Sequence, residues 1–176
     1  MLQKQSQIKW QHFERVPAWI LPYQYRNWVL DSGSLTKRLI DCSHNNFAVR
    51  VIFQGWSVPR LDERKALAIA PRQKALVREV ELLCHGKVWV KARSIIPAST
   101  LTGAERRLKV LGDRPLGAFL FKSRAMRRSA LEVCSFISSE KQRIYGRRSI
   151  FLLHQKPLLV GELFMPHVFQ SDAGTA

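Results

Sequence analysis

The chain is short of acid: 13 Asp and Glu stand against 29 Lys and Arg, a formal net charge of +16 on 176 residues. Cysteine is scarce too. Cys42, Cys84 and Cys134 are odd in number and far apart, which excludes a disulfide framework and leaves reduced thiols in a cytoplasm as the expectation. No apolar run approaches the roughly 18 residues a membrane span needs. The longest, Ile150 to Leu153 and Leu158 to Val160, are strand-sized, so no transmembrane segment is predicted. The first residues lack the apolar stretch of a signal peptide, and the predicted location is cytoplasmic. Without a glycine-rich phosphate loop, a nucleotide cofactor is not expected. His12, His44, His85, His154 and His167 show no metal-ligand spacing, so no metal is expected either. No finger, helix-turn-helix signature or stacked-aromatic motif accompanies the basic residues, which are spread along the chain rather than gathered in a stripe. A specific nucleic-acid partner is therefore not predicted. A small anion steered into a pocket accounts for the same charge.

What is present is a globular composition. Hydrophobic residues make up 46%, and the length suits one domain with its own core. Residues 22–30 read as a short helix led by proline. Asp31 to Ser34 break the chain and supply caps for a second helix over 35–40. Alternating Phe47, Val49, Val51 and Phe53 predict a strand over 47–54. The stretch from Gly55 to Arg72 holds three breakers and reads as a long connection with room for one helical turn. Strands over 77–84 and 88–96 flank His85-Gly86-Lys87, a hairpin signal. Thr102 with Glu105 three residues on predicts a capping box opening a helix that Gly112 closes. Further strands are predicted over 130–138, 148–154 and 158–164, the last two joined by Gln155-Lys156-Pro157. Short turns between strands favour an α+β domain with an antiparallel sheet over an alternating βαβ fold.

Two charges break the strand pattern. Residues two apart share a face, so Arg78 is in phase with Val80, Leu82 and Cys84, and Glu162 with Leu158, Val160 and Phe164. One reading is a cross-strand ion pair, or a strand that frays at Arg78; buried charges are usually paired. The other is a ligand site, in which arginine clamps a carboxylate and glutamate meets a hydroxyl or moves a proton. The thiols on strand faces read as small core residues.

Several segments, in order, resemble the chorismate pyruvate-lyase family. They are Ser34-Leu35-Thr36-Lys37-Arg38, Val77-Arg78-Glu79 with Leu82-Leu83-Cys84, and Trp89, Ala92-Arg93 and Pro97-Ala98-Ser99-Thr100-Leu101. They continue through Leu111-Gly112, Pro115-Leu116-Gly117, Gly146-Arg147-Arg148-Ser149, and Lys156-Pro157-Leu158-Leu159 with Glu162-Leu163-Phe164. The resemblance runs from about residue 21 to 166. It divides the chain into an N-terminal arm (1–20), a lyase-like domain (21–168) and a tail (169–176).

The resemblance implies a single domain with helical flaps over an internal ligand site. It implies removal of pyruvate from chorismate to give 4-hydroxybenzoate, the first step towards ubiquinone, by a monomer with no metal or organic cofactor. It also implies that Leu35, Arg78, Leu116 and Glu162 hold substrate or product. The leucines would act through backbone N–H groups beside Arg78 on the ring carboxylate, with Glu162 on the ring hydroxyl; Arg78 and Glu162 are the catalytic candidates. Lys91, Arg93 and Arg147 are candidates for the second carboxylate. The alternatives are a non-catalytic module of the same fold that binds a small anionic effector, and a nucleic-acid-binding protein argued from charge alone. Twenty residues ahead of the domain are too few for the DNA-binding domain such effector modules accompany. Tyr145 stands where relatives carry tryptophan, and Leu35 where many carry methionine.

Overall fold

The computed structural model describes residues 8–170. Residues 1–7 of the expected arm and 171–176 of the expected tail lie outside the described residues. Eight antiparallel strands form one sheet: β1 (Gln11–His12), β2 (Phe47–Ser57), β3 (Ala75–Cys84), β4 (Lys87–Pro97), β5 (Met126–Arg128), β6 (Glu132–Ile137), β7 (Arg143–Leu153) and β8 (Lys156–Phe164). Their order is β1-β6-β7-β8-β4-β3-β2, with β5 paired to β7. The expected α+β architecture with an antiparallel sheet is what the chain forms.

Two tight turns set the central registers. At the β3–β4 hairpin His85 and Gly86 both have positive φ, 50° and 72°, the conformation whose twist matches paired strands. The β7–β8 hairpin turns instead at His154 and Gln155, φ 50° and 65°, one residue earlier than expected, and with no glycine to announce it. That turn frees Lys156 and Pro157 to pair with Leu153 and Leu152.

Helices α1 (Tyr23–Val29), α2 (Leu35–Cys42), α4 (Leu116–Lys122) and α5 (His167–Gln170), with a 3-10 helix over Gly103–Val110, accompany the sheet. Leu35 and Leu39 of α2 join Trp28, Val90 and Phe164 in one core cluster. Leu108, Leu116 and Leu120 join Leu76, Ile96 and Leu158 in a second. Phase along the strands puts both clusters on one face of the sheet. Val77, Ile95 and Leu159 point the other way and pack with Leu67 and Ile69 at the end of α3 (Leu61–Leu67).

Helix α3 occupies the stretch expected to be mainly connection. Pro59 and Pro71 bracket it rather than interrupt it, and Glu63 closes its first turn by accepting from the Arg60 N–H at 2.8 Å. The capping box expected at Thr102 does not form. The Glu105 carboxylate turns away to Lys156 Nζ (2.8 Å) and His154 Nδ1 (2.9 Å), and the helix that follows is 3-10 rather than α. Strand β7 begins five residues before the predicted start at 148, which brings Arg147 into the sheet. Among the described residues no helix is long and apolar enough to cross a membrane.

Candidate active site

The site is a polar band between two apolar clusters on one face of the sheet. Register lays the face out in rows. One runs across the strands as Gln54, Arg78, Ser94, Val160 and Ser149; the next runs Val51, Val80, Ala92, Glu162 and Arg147. Beyond these lie Leu76, Ile96 and Leu158 on one side, and Leu82, Val90 and Phe164 on the other. Ala92 and Ser94 supply small side chains in mid-sheet, so space remains above β4. Arg78 and Glu162 sit two strands and one row apart, about 12 Å between Cα atoms by ideal sheet spacing.

Two segments roof this space. Gly33, Leu35 and Thr36 come from the start of α2, and Pro115, Leu116, Gly117 and Leu120 from the start of α4. Ser34 caps α2 by accepting from the Lys37 N–H at 3.3 Å. A Cβ on Gly117 would lie 2.8 Å from Thr36 Oγ1, so glycine lets the two helix starts meet. The resulting cavity is lined by Arg78, Arg128, Arg147 and Glu162 together with Leu35, Leu116, Ser94, Val49 and Val160, among others. Leu35, Arg78, Leu116 and Glu162, named on separate segments of the sequence, are thus brought to one cavity.

Neither version of the structural reading of Arg78 holds. The strand does not fray there, since Arg78 is 2% exposed, and Arg78 does not pair with Glu162. Its Nη1 donates to Gln54 Oε1 at 2.7 Å and its Nη2 to the Arg114 carbonyl at 3.1 Å. No carboxylate among the described residues forms an ion pair with it. Burial pushes its pKa down, with Asp113 opposing.

Glu162 instead accepts from Arg147 Nε at 2.5 Å, and Arg147 Nη1 donates to the Asp31 carbonyl at 2.5 Å. Arg147 is fully buried and faces Glu162 across the β7–β8 ladder. Asp31 lies in the loop before α2. Burial opposes its ionisation, but the Gly33 N–H and the Arg38 guanidinium hold its pKa below the ordinary value.

Of the three basic candidates for a second carboxylate, only Arg147 reaches the cavity. Lys91 and Arg93 alternate with Ala92 and Ser94, so they lie on the opposite face, where Arg93 binds Glu63 and Glu79. The site residue missed in the sequence is Arg128. It sits on the three-residue strand β5, donates to Ser149 Oγ (3.1 Å) and lies over the Phe151 ring. Burial, then neighbouring Arg147, lowers its pKa to about 10, against the pull of Glu162 and Asp31. So short a strand carries no readable alternation; the only trace was the basic run Arg124, Arg127 and Arg128. The thiols of Cys84 and Cys134 are buried, and burial raises both pKa values, that of Cys134 to about 12.

The fold recurs in effector-binding domains of transcription regulators. The C-terminal domain of a histidine utilization repressor from Pseudomonas syringae superposes with a TM-score of 0.54 at 10% identity, covering 69% of this chain and 92% of that one. The effector-binding domain of the Bacillus subtilis trehalose repressor gives 0.50 at 8% identity, covering 66% and 89%. Those likenesses concern the fold. Sequence relatives are nearer. A protein of Methylococcus capsulatus named "Probable chorismate pyruvate-lyase" is 43% identical over 153 residues, covering 81% of this chain and 94% of its own length. One of the same name from Marinobacter nauticus is 43% identical over 148 residues, covering 83% and 78%. A third, from Pseudomonas putida, is 42% identical, covering 82% of each. The family model for chorismate lyase matches residues 4–173. This chain belongs to the chorismate lyase family.

Proposed function

We propose that the cavity binds chorismate and converts it to 4-hydroxybenzoate and pyruvate, the first step towards ubiquinone, in the cytoplasm. The observation that carries this reading is the charge of the lining. Its charged residues are Arg78, Arg128, Arg147 and Glu162, three positive against one negative, an excess of 3 − 1 = +2. Chorismate is a dianion at neutral pH. An enclosed excess of two positive charges is expensive empty and is relieved by two carboxylates. A chain of +16 also draws such an anion in from solution, less so as salt rises.

In this reading Arg78 clamps the ring carboxylate beside the N–H groups of Leu35 and Leu116. These two are the first residues of α2 and α4, where backbone donors have no acceptor within the helix. Glu162, oriented by Arg147, accepts from the ring hydroxyl. Arg128 receives the enolpyruvyl carboxylate.

The ether bond at C3 breaks and its electron pair leaves with the enolpyruvyl oxygen. The C4–H pair closes the aromatic ring, and the C4 proton is balanced by the one the enol gains at its methylene on becoming pyruvate. Aromatisation supplies the driving force, so the chemistry needs no redox partner and we infer a cofactor-independent lyase. The protein's part is orientation and electrostatics. In this reading the protein acts as a monomer. The regulator domains sharing the fold support a binding-only reading, but relatives at about 43% identity over most of the chain favour catalysis. Mixing the purified protein with chorismate tests it: pyruvate and 4-hydroxybenzoate should appear in equal amounts, and their absence would sink the proposal.

A further inference from the structure

Arg78 is a fully buried cavity arginine whose hydrogen bonds to Gln54 and to the Arg114 carbonyl both go to uncharged acceptors, and the partner that shapes this arrangement is Gln54. Gln54 lies on the edge strand β2, opposite Arg78 in the ladder. Its Oε1 accepts from Arg78 Nη1 at 2.7 Å, while its Nε2 donates to the Lys109 carbonyl at 2.8 Å. The site therefore asks position 54 for an acceptor and a donor at once. Of the two isosteric side chains, only the amide meets both demands, since a carboxylate has no N–H for the carbonyl. The guanidinium's second contact, to the Arg114 carbonyl, ties it to the loop that leads into α4 and Leu116. A glutamate at position 54 would satisfy Arg78 as well or better, but it would cancel the charge.

We propose that Gln54 is a positioning residue of this site, whose amide aims the Arg78 guanidinium into the cavity while leaving its charge free for the carboxylate of a hydroxylated aromatic acid. This rests on the function proposed above. It explains how a fully buried arginine is held in one orientation without a counter-ion: the hydrogen bonds are neutral and the ligand supplies the charge.

The test compares wild type, Gln54→Glu and Gln54→Met for binding of 4-hydroxybenzoate and of its neutral isostere 4-hydroxybenzamide, with thermal unfolding to establish that each variant is folded. Gln54→Glu should weaken 4-hydroxybenzoate by about 10-fold or more and leave 4-hydroxybenzamide within about two-fold. Gln54→Met, which removes the bond without adding charge, should weaken 4-hydroxybenzoate less than the glutamate does. Equal losses for acid and amide in Gln54→Glu would make the role merely structural and overturn the proposal, as would wild-type affinity for the acid. Should the glutamate variant not fold, the methionine variant decides: undiminished 4-hydroxybenzoate binding there overturns it. A wild-type protein that binds neither compound overturns the function itself, and this role with it, whereas wild-type binding with unaffected variants removes Gln54 alone.

Discussion

The two faces of the sheet treat their arginines differently: a pair on the outer face meets two carboxylates each, whereas on the cavity face Arg147 meets one, Glu162, and Arg78 and Arg128 meet none among the described residues. On the outer face Arg93 meets Glu63 and Glu79, and Arg148 meets Asp62 and Glu132, two carboxylates each. Burial alone would lower the pKa of Arg93, but Glu63 and Glu79 outweigh it and raise the value. On the cavity face Arg78 and Arg128 have no such partner among the described residues, and both are lowered. Asp62 and Glu63 are the first-turn acids of α3, so the outer arginines hold a helix to the sheet. The sequence runs that carry these residues look alike; Arg147 and Arg148 are neighbours. An arginine with a full set of protein carboxylates is a structural fastener, whereas in the function proposed above one left with neutral acceptors takes its counter-charge from the substrate.

That contrast can be broken by mutation. Arg93→Met should cost the most stability, about 3 kcal/mol, because it strands Glu63 and Glu79 in a half-buried setting. Denaturant midpoints would show it, and the folded fraction should bind 4-hydroxybenzoate unchanged. Arg78→Met should do the reverse. Loss of a charge-assisted clamp is worth ~1.5–3 kcal/mol, so calorimetry should find 4-hydroxybenzoate bound roughly 10- to 150-fold more weakly, with the melting temperature held or raised. If Arg78→Met unfolds the protein and Arg93→Met does not, the assignment of the two faces is wrong.

Arg128→Met sharpens the division within the cavity. The KM for chorismate should rise by about 10-fold while 4-hydroxybenzoate affinity moves little, since the product has lost the second carboxylate.

The anchor at Glu105 gives a pH signature. Lys156 first, then His154, hold its pKa at about 2, below the usual 4.5, against the opposing effect of burial. A depressed carboxylate contributes stability that is complete above the unfolded value and lost as pH falls from there through the folded one. The melting-temperature gap between wild type and Glu105→Gln should therefore be full at neutral pH and close between about pH 4.5 and about 2. A gap that stays constant would refute the assignment.

The smallest effect belongs to the exposed cross-strand pair Arg50–Glu81, which touches neither buried network. Arg50→Ala should change stability by no more than ~1 kcal/mol in urea titrations.

Much of the sheet was legible in the sequence because alternation is a local property of an extended chain. Arg78 and Glu162 stood out for that reason: each is a charge in an apolar phase, and phase needs no knowledge of neighbours. Their partners were not legible. Glu162 meets Arg147 because the β7–β8 turn falls at His154-Gln155 and sets the register, and nothing in those two residue types marks a tight turn. Arg128 escaped notice on a strand of three residues, and α3 was hidden by the prolines that in fact delimit it. Glu105 satisfied a local capping rule, yet two basic side chains 49 and 51 residues away won its carboxylate.

The amino-acid order by itself determined a basic antiparallel α+β domain, its main strands and the two charges facing its apolar side. Which arginines find carboxylates and which keep only neutral acceptors was decided only when distant strands and helices came together. Strand phase follows from bond geometry along the chain, but pairing across 50 or 100 residues depends on register, turn length and the packing of elements that no local pattern encodes.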